Sequence, residues 1–238
     1  VIVAGRVLPL TGRDQNLEAL DLANEVLGNG FLSRLNLDLR EDKGWSYGVR
    51  SGVSAPVGPR SFTISAPVQS DRTGDSIRLL LDNIKAFPAT KPVNSVEYNR
   101  VTDGNIRGLP NRFQTNGQVL GAVMANDRLG RPDDYYVTLP GRYRAIDATA
   151  LNTAAKTYLQ AEGLVFVVVG DRKVVEPQLK GLGLVVAYSE AYSPTIAPAP
   201  TDRVNPARPT SAKVRWGRRN QLEPEKLAAA YAAILAAW

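Results

Sequence analysis

Two strand-like segments joined by a short turn place the strongest constraint on the fold of this chain. The segments run from Ser46 to Ala55 and from Arg60 to Gln69, and Pro56 to Pro59 supplies the turn between them. In the second segment, apolar and polar or small residues alternate with a period of two, as in a half-buried strand. The apolar members of this alternation are Phe62, Ile64, Ala66 and Val68. A four-residue connection predicts that the two strands pair antiparallel.

The region before this hairpin has the spacing of an amphipathic helix. Apolar residues recur at helical intervals from Asn16 to Arg40, with a break at Gly28-Asn29-Gly30. We therefore expect one helix, a short break and a second helical piece. Gly44 follows as a candidate left-handed cap. The first residues, Val1 to Arg6, predict a strand rather than a secretion signal, and the absence of an initiator methionine fits a fragment or a processed product.

The rest of the chain alternates between helix and strand signals. Four helices are expected first: one capped by Asp71 or Thr73, one opened by an Asn94–Glu97 capping box, one from Arg112 to Leu129 that stops at Gly130, and one capped by Asp147. A buried strand at Gly163–Gly170, a helix near Val174–Leu182 and a strand at Leu184–Tyr188 are expected after them. Together with the hairpin, these elements predict an α+β fold, with a mostly antiparallel sheet and helices packed on one face.

The composition excludes several kinds of chemistry. The 238 residues contain no histidine and no cysteine, which rules out a serine triad of the usual kind, a thiolate metal site and disulfides. Only carboxylates could bind a metal, and Glu18, Asp21 and Glu25 could share one helix face. We interpret that face as solvated and expect no metal in this chain. No run approaches the roughly 18 apolar residues of a membrane span.

The net charge of +6 is concentrated in one late segment. Six basic residues without an intervening acidic one account for it: Arg203, Arg208, Lys213, Arg215, Arg218 and Arg219. Ser193 to Pro209 also carries five prolines, so residues 191–222 are interpreted as a basic, solvated linker. The alternative is a nucleic-acid or anionic-surface binder that uses this segment and Trp216. The chain is thus divided into a domain at 1–190, a linker at 191–222 and a C-terminal helix at 223–238.

Several motifs are specific in combination. Asn24-Glu25-Val26-Leu27-Gly28-Asn29-Gly30-Phe31-Leu32-Ser33-Arg34-Leu35 is followed by Leu39-Arg40-Glu41-Asp42-Lys43-Gly44-Trp45-Ser46-Tyr47. Later come Gly130-Arg131-Pro132-Asp133-Asp134-Tyr135-Tyr136 and the stretch from Asp147 through Asp171. These motifs resemble the second domain of the insulinase/pitrilysin-type zinc metallopeptidases, the inverzincins, whose zinc motif is H-x-x-E-H.

The resemblance implies a role for two residues of this chain. In the family, two related halves close around a chamber; one half holds zinc, and the other presents an arginine and a tyrosine. The corresponding residues here are Arg40 and Tyr47. The implied function is the non-zinc half of a peptidase that binds an extended peptide, with Zn²⁺ on a partner domain or subunit. The resemblance also suggests that Asn111, Arg112 and Phe113 line the chamber.

Two further hypotheses follow from this resemblance. Because the halves of the family are duplicates, Leu22 and Val26 are proposed to occupy the frame of the two zinc-binding histidines, with Glu25 as an exposed helix carboxylate. Some relatives are scaffold core subunits of respiratory complexes that cleave nothing, so a non-catalytic scaffold is the alternative function. The residues do not distinguish periplasm from cytoplasm.

Overall fold

One four-stranded sheet organises the chain. The computed structural model describes residues 1–14 and 17–184. Its strands are β1 (Ile2–Thr11), β2 (Arg50–Val53), β3 (Pro59–Ala66) and β4 (Val165–Val168). They lie in the order β2-β3-β1-β4, and every pairing is antiparallel. The predicted hairpin is confirmed as β2 and β3, although β2 is shorter than the expected segment from Ser46 to Ala55.

Alternation along the strands separates the two faces of this sheet. In β3, Phe62, Ile64 and Ala66 are buried and contribute to one hydrophobic core. Ile2 of β1 lies opposite both Ala66 and Val168, so β1 is a central strand. The apolar side chains therefore lie on one face of the sheet, and helices cover that face.

Helices cover that inner face. They are α1 (Glu18–Leu27), α2 (Arg34–Asn36), α3 (Thr73–Ala86), α4 (Ser95–Gly108), α5 (Asn116–Leu129), α6 (Tyr135–Ala145), α7 (Ala148–Tyr158) and α8 (Arg172–Leu179). A π-helical turn at Leu37–Asp42 extends α2, and 3-10 turns lie at Ser70–Arg72 and Leu109–Phe113. The architecture is the predicted α+β layer. Among residues 1–14 and 17–184, no helix is long and apolar enough to cross a membrane.

The helix caps confirm some predictions and correct others. Asn94 and Glu97 form the expected capping box of α4, and Asp147 caps α7 by accepting from the Ala150 N–H. Neither Asp71 nor Thr73 caps α3; the Thr73 hydroxyl instead donates to the carbonyl oxygen of Ser70 (3.0 Å).

The start of α5 and the whole of α6 differ from the sequence predictions. Arg112 lies in the 3-10 turn before α5, and Thr115 caps α5 through its own capping box with Gln118. The sequence predicted no helix at Tyr135–Ala145, where Pro140 lies inside the helix. Burial of Leu139 and Tyr143 stabilises α6 despite the proline, because tertiary packing outweighs local propensity.

The strand predicted at Gly163–Gly170 exists, but it is not fully buried. β4 covers Val165–Val168 and, in the described part of the chain, pairs only with β1. Val165 and Val167 are exposed because helices cover only the opposite face of the sheet. The continuous apolar run from Gly163 to Gly170 predicted a buried strand, and this prediction is wrong for the face that carries Val165 and Val167. The predicted strand from residue 185 onward, the 191–222 linker and the 223–238 helix lie outside the described residues.

Candidate functional site

Arg40 and Tyr47 lie together in the structure. The guanidinium carbon of Arg40 is 5.5 Å from the ring centroid of Tyr47 and 4.5 Å from that of Phe31. Both distances are within the range of cation–π attraction. The predicted pair is therefore part of a three-residue cluster, which we call the aromatic-arginine cluster: Phe31, Arg40 and Tyr47.

A π-helical turn and a left-handed glycine place Tyr47 beside Arg40. The N–H of Lys43 donates to the carbonyl oxygen of Asp38 (3.0 Å), five residues earlier, so the turn that carries Arg40 is wider than an α-helical turn. Gly44 then adopts φ 63°, as the sequence predicted. The N–H of Trp45 donates back to Leu39 (2.9 Å), which reverses the chain towards Arg40.

Two buried polar side chains hold the segments of the cluster. The Asn36 amide donates to the carbonyl oxygen of Phe31 (2.7 Å) and accepts from the N–H of Val49 (3.0 Å). The hydroxyl of Ser46 donates to the carbonyl oxygen of Pro67 (2.7 Å) on the strand side of the cluster. Asn36 therefore ties the segment of Phe31 to the chain just after Tyr47. Sequence reasoning missed this role, since an asparagine within a helical pattern gives no sign of its partners.

The break between α1 and α2 lies directly against β2. The N–H of Ser51 donates to the carbonyl oxygen of Gly28 (2.9 Å), and its hydroxyl donates to Asn24 Oδ1 (2.7 Å). A Cβ on Gly28 would lie 2.4 Å from the hydroxyl oxygen of Ser51. Glycine is therefore required for this close approach, which fixes where the chain leaves α1 before Phe31.

The cluster presents hydrogen-bond donors to solvent. The side chain of Arg40 is 29% exposed, and its Nε lies 3.4 Å from Glu41 Oε1. Tyr47 is 90% exposed and Phe31 is 58% exposed. Within the described residues, the hydroxyl of Tyr47 has no hydrogen-bond partner. An open phenol beside a guanidinium can bind an oxygen acceptor such as a peptide carbonyl.

The Asn111-Arg112-Phe113 group occupies a neighbouring but separate position. Arg112 donates to Asn105 Oδ1 (3.2 Å), and the Asn105 amide donates to Glu25 Oε2 (2.6 Å). Phe113 packs edge-to-face on Tyr136, with 5.1 Å between their ring centroids. No recorded contact joins these residues to Arg40 directly.

The acidic face of α1 is not the solvated surface that the sequence predicted. Glu18 is buried and pairs with Arg142 (2.8 Å from Nη1 to Oε1), while Asp21 lies 3.7 Å from Arg60. Burial raises the pKa of Glu25, against the opposing effect of the hydrogen bond from Asn105. The exposed carboxylate expected at position 25 is therefore half-buried and bonded.

Asp21 on the same helix also has a raised pKa. Burial raises the pKa of Asp21 to about 6, and the nearby Arg60 opposes this rise. The side chain is nevertheless 54% exposed, so solvent screening weakens any effect on the free energy of unfolding. Its position between surrounding arginines makes it an ion-pair partner rather than a free metal donor.

Zinc does not fit the residues of this chain. Histidine and cysteine are absent from the sequence, and the described residues contain no group of three or more acidic side chains that could hold a metal ion. Leu22 and Val26, proposed in the frame of the zinc-binding histidines, are both buried in the core. Their correspondence to the histidine positions stays a prediction, which superposition on a zinc-binding half would test.

Comparison with known proteins finds similar sequences and folds. Residues 4–103, which include the whole aromatic-arginine cluster, match the family described as the peptidase M16 inactive domain. An uncharacterised zinc protease of Mycobacterium leprae is 28% identical over 149 residues, covering 61% of this chain and 30% of that protein. The chain thus spans about a third of the length of this relative.

Solved structures with similar folds include a peptidase M16 inactive domain from Pseudomonas fluorescens. It aligns with a TM-score of 0.63 and 20% identity over 70% of this chain and 39% of its own. A chain of Complex III2 from Candida albicans aligns with a TM-score of 0.59 and 9% identity over 74% of this chain and 45% of its own. At these identities the alignments establish the fold alone. The comparisons therefore show that residues 4–103 are similar to the peptidase M16 inactive domain and that the chain resembles a zinc protease.

Proposed function

We propose that this chain is the non-zinc half of a zinc-dependent peptidase. The observation that carries the proposal is the aromatic-arginine cluster, in which Arg40 lies over the rings of Phe31 and Tyr47 beside an exposed phenol. Tyr47 is 90% exposed, so its hydroxyl is accessible to a ligand rather than engaged within the described fold.

The two residues have complementary roles in peptide hydrolysis. The hydroxyl of Tyr47 donates a hydrogen bond to the scissile carbonyl oxygen as that oxygen gains negative charge. The loss of one such donor typically lowers turnover by about 10²–10³-fold. The guanidinium of Arg40 holds the carbonyl groups of an extended peptide through its fixed fork of donors. Stacking on Phe31 restricts the orientation of that fork.

The remaining machinery belongs to a partner domain or subunit. Because this chain lacks zinc ligands, the metal, the activated water and the general base come from an H-x-x-E-H-bearing half that closes a chamber with this one. The substrates are peptides or unfolded segments small enough to enter the chamber. In this proposal Arg112, which is exposed, and its neighbours Asn111 and Phe113 line the chamber.

The substitution Tyr47→Phe tests this function in the assembly with the zinc half. We expect turnover to fall by about 10²-fold, because one donor to the oxyanion is lost, while the assembly forms unchanged. Steady-state kinetics on a fluorogenic peptide and size-exclusion chromatography measure the two effects. The control is Tyr158→Phe at the end of α7, which should retain activity.

The alternative function is a non-catalytic scaffold subunit of a larger complex. A chain of Complex III2 has a similar fold, and this similarity is the observation that favours the scaffold. Similarity of fold alone does not assign a function. A scaffold does not use the donors of Arg40 and Tyr47. Unchanged turnover of the Tyr47→Phe assembly would therefore reject the catalytic role and support the scaffold.

A further inference from the structure

The break between α1 and α2 contains one of the two asparagine–glycine pairs of the chain, Asn29-Gly30. The other pair, Asn116-Gly117, opens α5. An asparagine loses its side-chain ammonia most readily when glycine follows it, because glycine has no side chain that hinders attack by its backbone nitrogen. In a folded protein, the reaction also depends on how firmly the fold holds the peptide bond between the two residues.

Hydrogen bonds hold the chain on both sides of the Asn29–Gly30 peptide bond but do not hold that bond itself. The N–H of Asn29 donates to the carbonyl oxygen of Asn24 (3.0 Å), and the carbonyl oxygen of Gly30 accepts from the hydroxyl of Ser33 (2.6 Å). Within residues 1–14 and 17–184, the carbonyl oxygen of Asn29, its side-chain amide and the N–H of Gly30 have no hydrogen-bond partner. Rotation of this peptide towards the side chain of Asn29 therefore breaks no hydrogen bond in the described fold.

Packing around the pair leaves the reacting groups accessible. Asn29 is exposed and Gly30 is half-buried. A Cβ on Gly30 would meet nothing closer than Nη1 of Arg100 at 3.8 Å, whereas a Cβ on Gly28 would lie 2.4 Å from the hydroxyl oxygen of Ser51. The fold therefore requires glycine at position 28, while glycine at position 30 chiefly leaves the backbone nitrogen open to the side chain of Asn29.

The second pair, Asn116-Gly117, is also exposed but has a helical backbone. Asn116 is the first residue of α5, and the capping box of Thr115 and Gln118 holds this end of the helix. Closure of a ring onto the glycine nitrogen needs a rotation about the bond between Cα and the carbonyl carbon of asparagine, which helical backbone angles do not allow. The two pairs therefore share their chemistry and their exposure and differ in the backbone around them.

We propose that Asn29 is a site of spontaneous deamidation in the folded chain. The backbone nitrogen of Gly30 loses its proton and forms a bond to Cγ of Asn29, and the side-chain nitrogen leaves as ammonia. Water then opens the five-membered imide at one of its two carbonyl carbons, which gives aspartate or isoaspartate. The reaction consumes one water molecule for each ammonia released and transfers no electrons. This inference is independent of the peptidase role of the aromatic-arginine cluster.

The product changes the segment that leads to Phe31. Each conversion adds a negative charge next to Gly30, close to Arg100, whose Nη2 is buried and has no hydrogen-bond partner among the described residues. Isoaspartate also lengthens the main chain by one methylene group. The added length lies between Gly28, whose carbonyl oxygen accepts from Ser51, and Phe31, whose carbonyl oxygen accepts from Asn36. Deamidation therefore alters both the charge and the length of the chain that positions Phe31.

Ageing of the natural full chain at mildly alkaline pH tests the proposal. Peptic digestion at acidic pH, which suppresses further reaction, and mass spectrometry follow the two asparagine–glycine pairs separately, and isoaspartyl methyltransferase labels the isoaspartate. We expect the acid to form several-fold faster at position 29 than at position 116 in the folded chain, and at similar rates in concentrated urea, where both backbones are free. Equal rates in the folded chain, or a faster reaction at Asn116, would overturn the proposal.

Two variants in the full chain provide matched controls. Asn29→Gln keeps the amide but would have to close a six-membered ring, which is much slower, so the fast methyl labelling should disappear while the rate at Asn116 and the far-ultraviolet circular dichroism stay unchanged. Gly30→Ala, which the packing permits, should slow the reaction at Asn29 several-fold because the added Cβ hinders the nitrogen. Fast methyl labelling that persists in Asn29→Gln would assign the reaction to another residue and contradict the proposal.

Discussion

Phe31 contributes to the site through Arg40. Replacing it with leucine keeps an apolar side chain but removes the ring that lies 4.5 Å from the guanidinium. Cation–π attraction at a partly exposed site is about 0.5–1 kcal/mol, so we expect peptide affinity to fall about two- to fivefold. The expected change is a raised KM with little change in kcat, measured in the assembly with the zinc half.

The neighbour Leu32 offers a control for this effect. It is similarly exposed, and Leu32→Ala should leave KM within about twofold of the natural value. Phe31→Tyr keeps the ring and should restore affinity. If Phe31→Leu and Leu32→Ala raise KM equally, the ring is not what orients Arg40.

The structure brings together the two residues that the sequence proposed as a site, and their role in binding substrate stays a prediction. Arg40 and Tyr47 could be named from the motif around them, and the wide turn with Gly44 brings them together. Phe31 was missed because helical spacing assigned it to a buried face. The Gly28-Asn29-Gly30 break rotates the chain before Phe31, and the amount of rotation depends on contacts with β2 that local sequence does not encode.

Among the elements, the junction of α1 with β2 is sensitive to a single methyl group. In Gly28→Ala the added carbon would lie 2.4 Å from the hydroxyl oxygen of Ser51, so strand or helix must move. We expect a loss of about 1–3 kcal/mol in the free energy of unfolding, measured by urea denaturation. Gly104→Ala is the control, because its added carbon meets nothing within 4 Å in α4. Gly104→Ala should raise the free energy of unfolding by about 1 kcal/mol.

A second element-scale prediction concerns the ion pair that joins α2 to α4. Arg34 Nη2 lies 2.6 Å from Glu97 Oε2, and both side chains are largely buried. Glu97→Gln leaves the arginine without its charged partner and should lower the free energy of unfolding by about 2 kcal/mol at pH 7. Asp103→Asn removes an exposed partner of Arg107. This control should change the free energy of unfolding by less than about 0.5 kcal/mol.

The destabilisation by Glu97→Gln should depend on pH. Burial alone would raise the pKa of Glu97, but hydrogen bonds from Arg34 and from the N–H of Asn94 outweigh it and lower the pKa below 4.5. The folded state therefore favours the carboxylate, whose stabilisation is complete above pH 4.5 and is lost as the pH falls through the folded pKa. A difference between the two proteins that grows on acidification would contradict this assignment.

At the scale of the whole molecule, the proposed function makes this chain one part of a catalyst. We predict that the purified chain neither binds Zn²⁺ tightly nor cleaves peptides, since it has no histidine or cysteine. Competition with a chromogenic chelator measures zinc binding, and a fluorogenic peptide assay measures cleavage. Cleavage by the purified chain that a chelator abolishes would reject this prediction. Addition of the zinc half should restore activity.

The overall architecture could be predicted from the sequence, but its boundaries could not. The period of two in β3 and the helical spacing of α1 each reflect which side chains meet the core, so the α+β layer followed from them. No helix was predicted at α6, which contains Pro140, because its stability depends on the burial of Leu139 and Tyr143 in the core. The exposure of Val165 and Val167 in β4 depends on which face of the sheet the helices cover, and that is not a local property of the sequence.

The central position of β1 has a consequence for the order in which this protein folds. Ile2, among the first residues described, pairs with both Ala66 and Val168. On the ribosome, the first strand can pair with β3 early, but it must wait for β4 until more than a hundred further residues have been synthesised. Such long-range closure slows folding and leaves apolar surface transiently open. Residues 4–103, which match the peptidase M16 inactive domain, pack in the fold with the later α7, because α7 contacts α1.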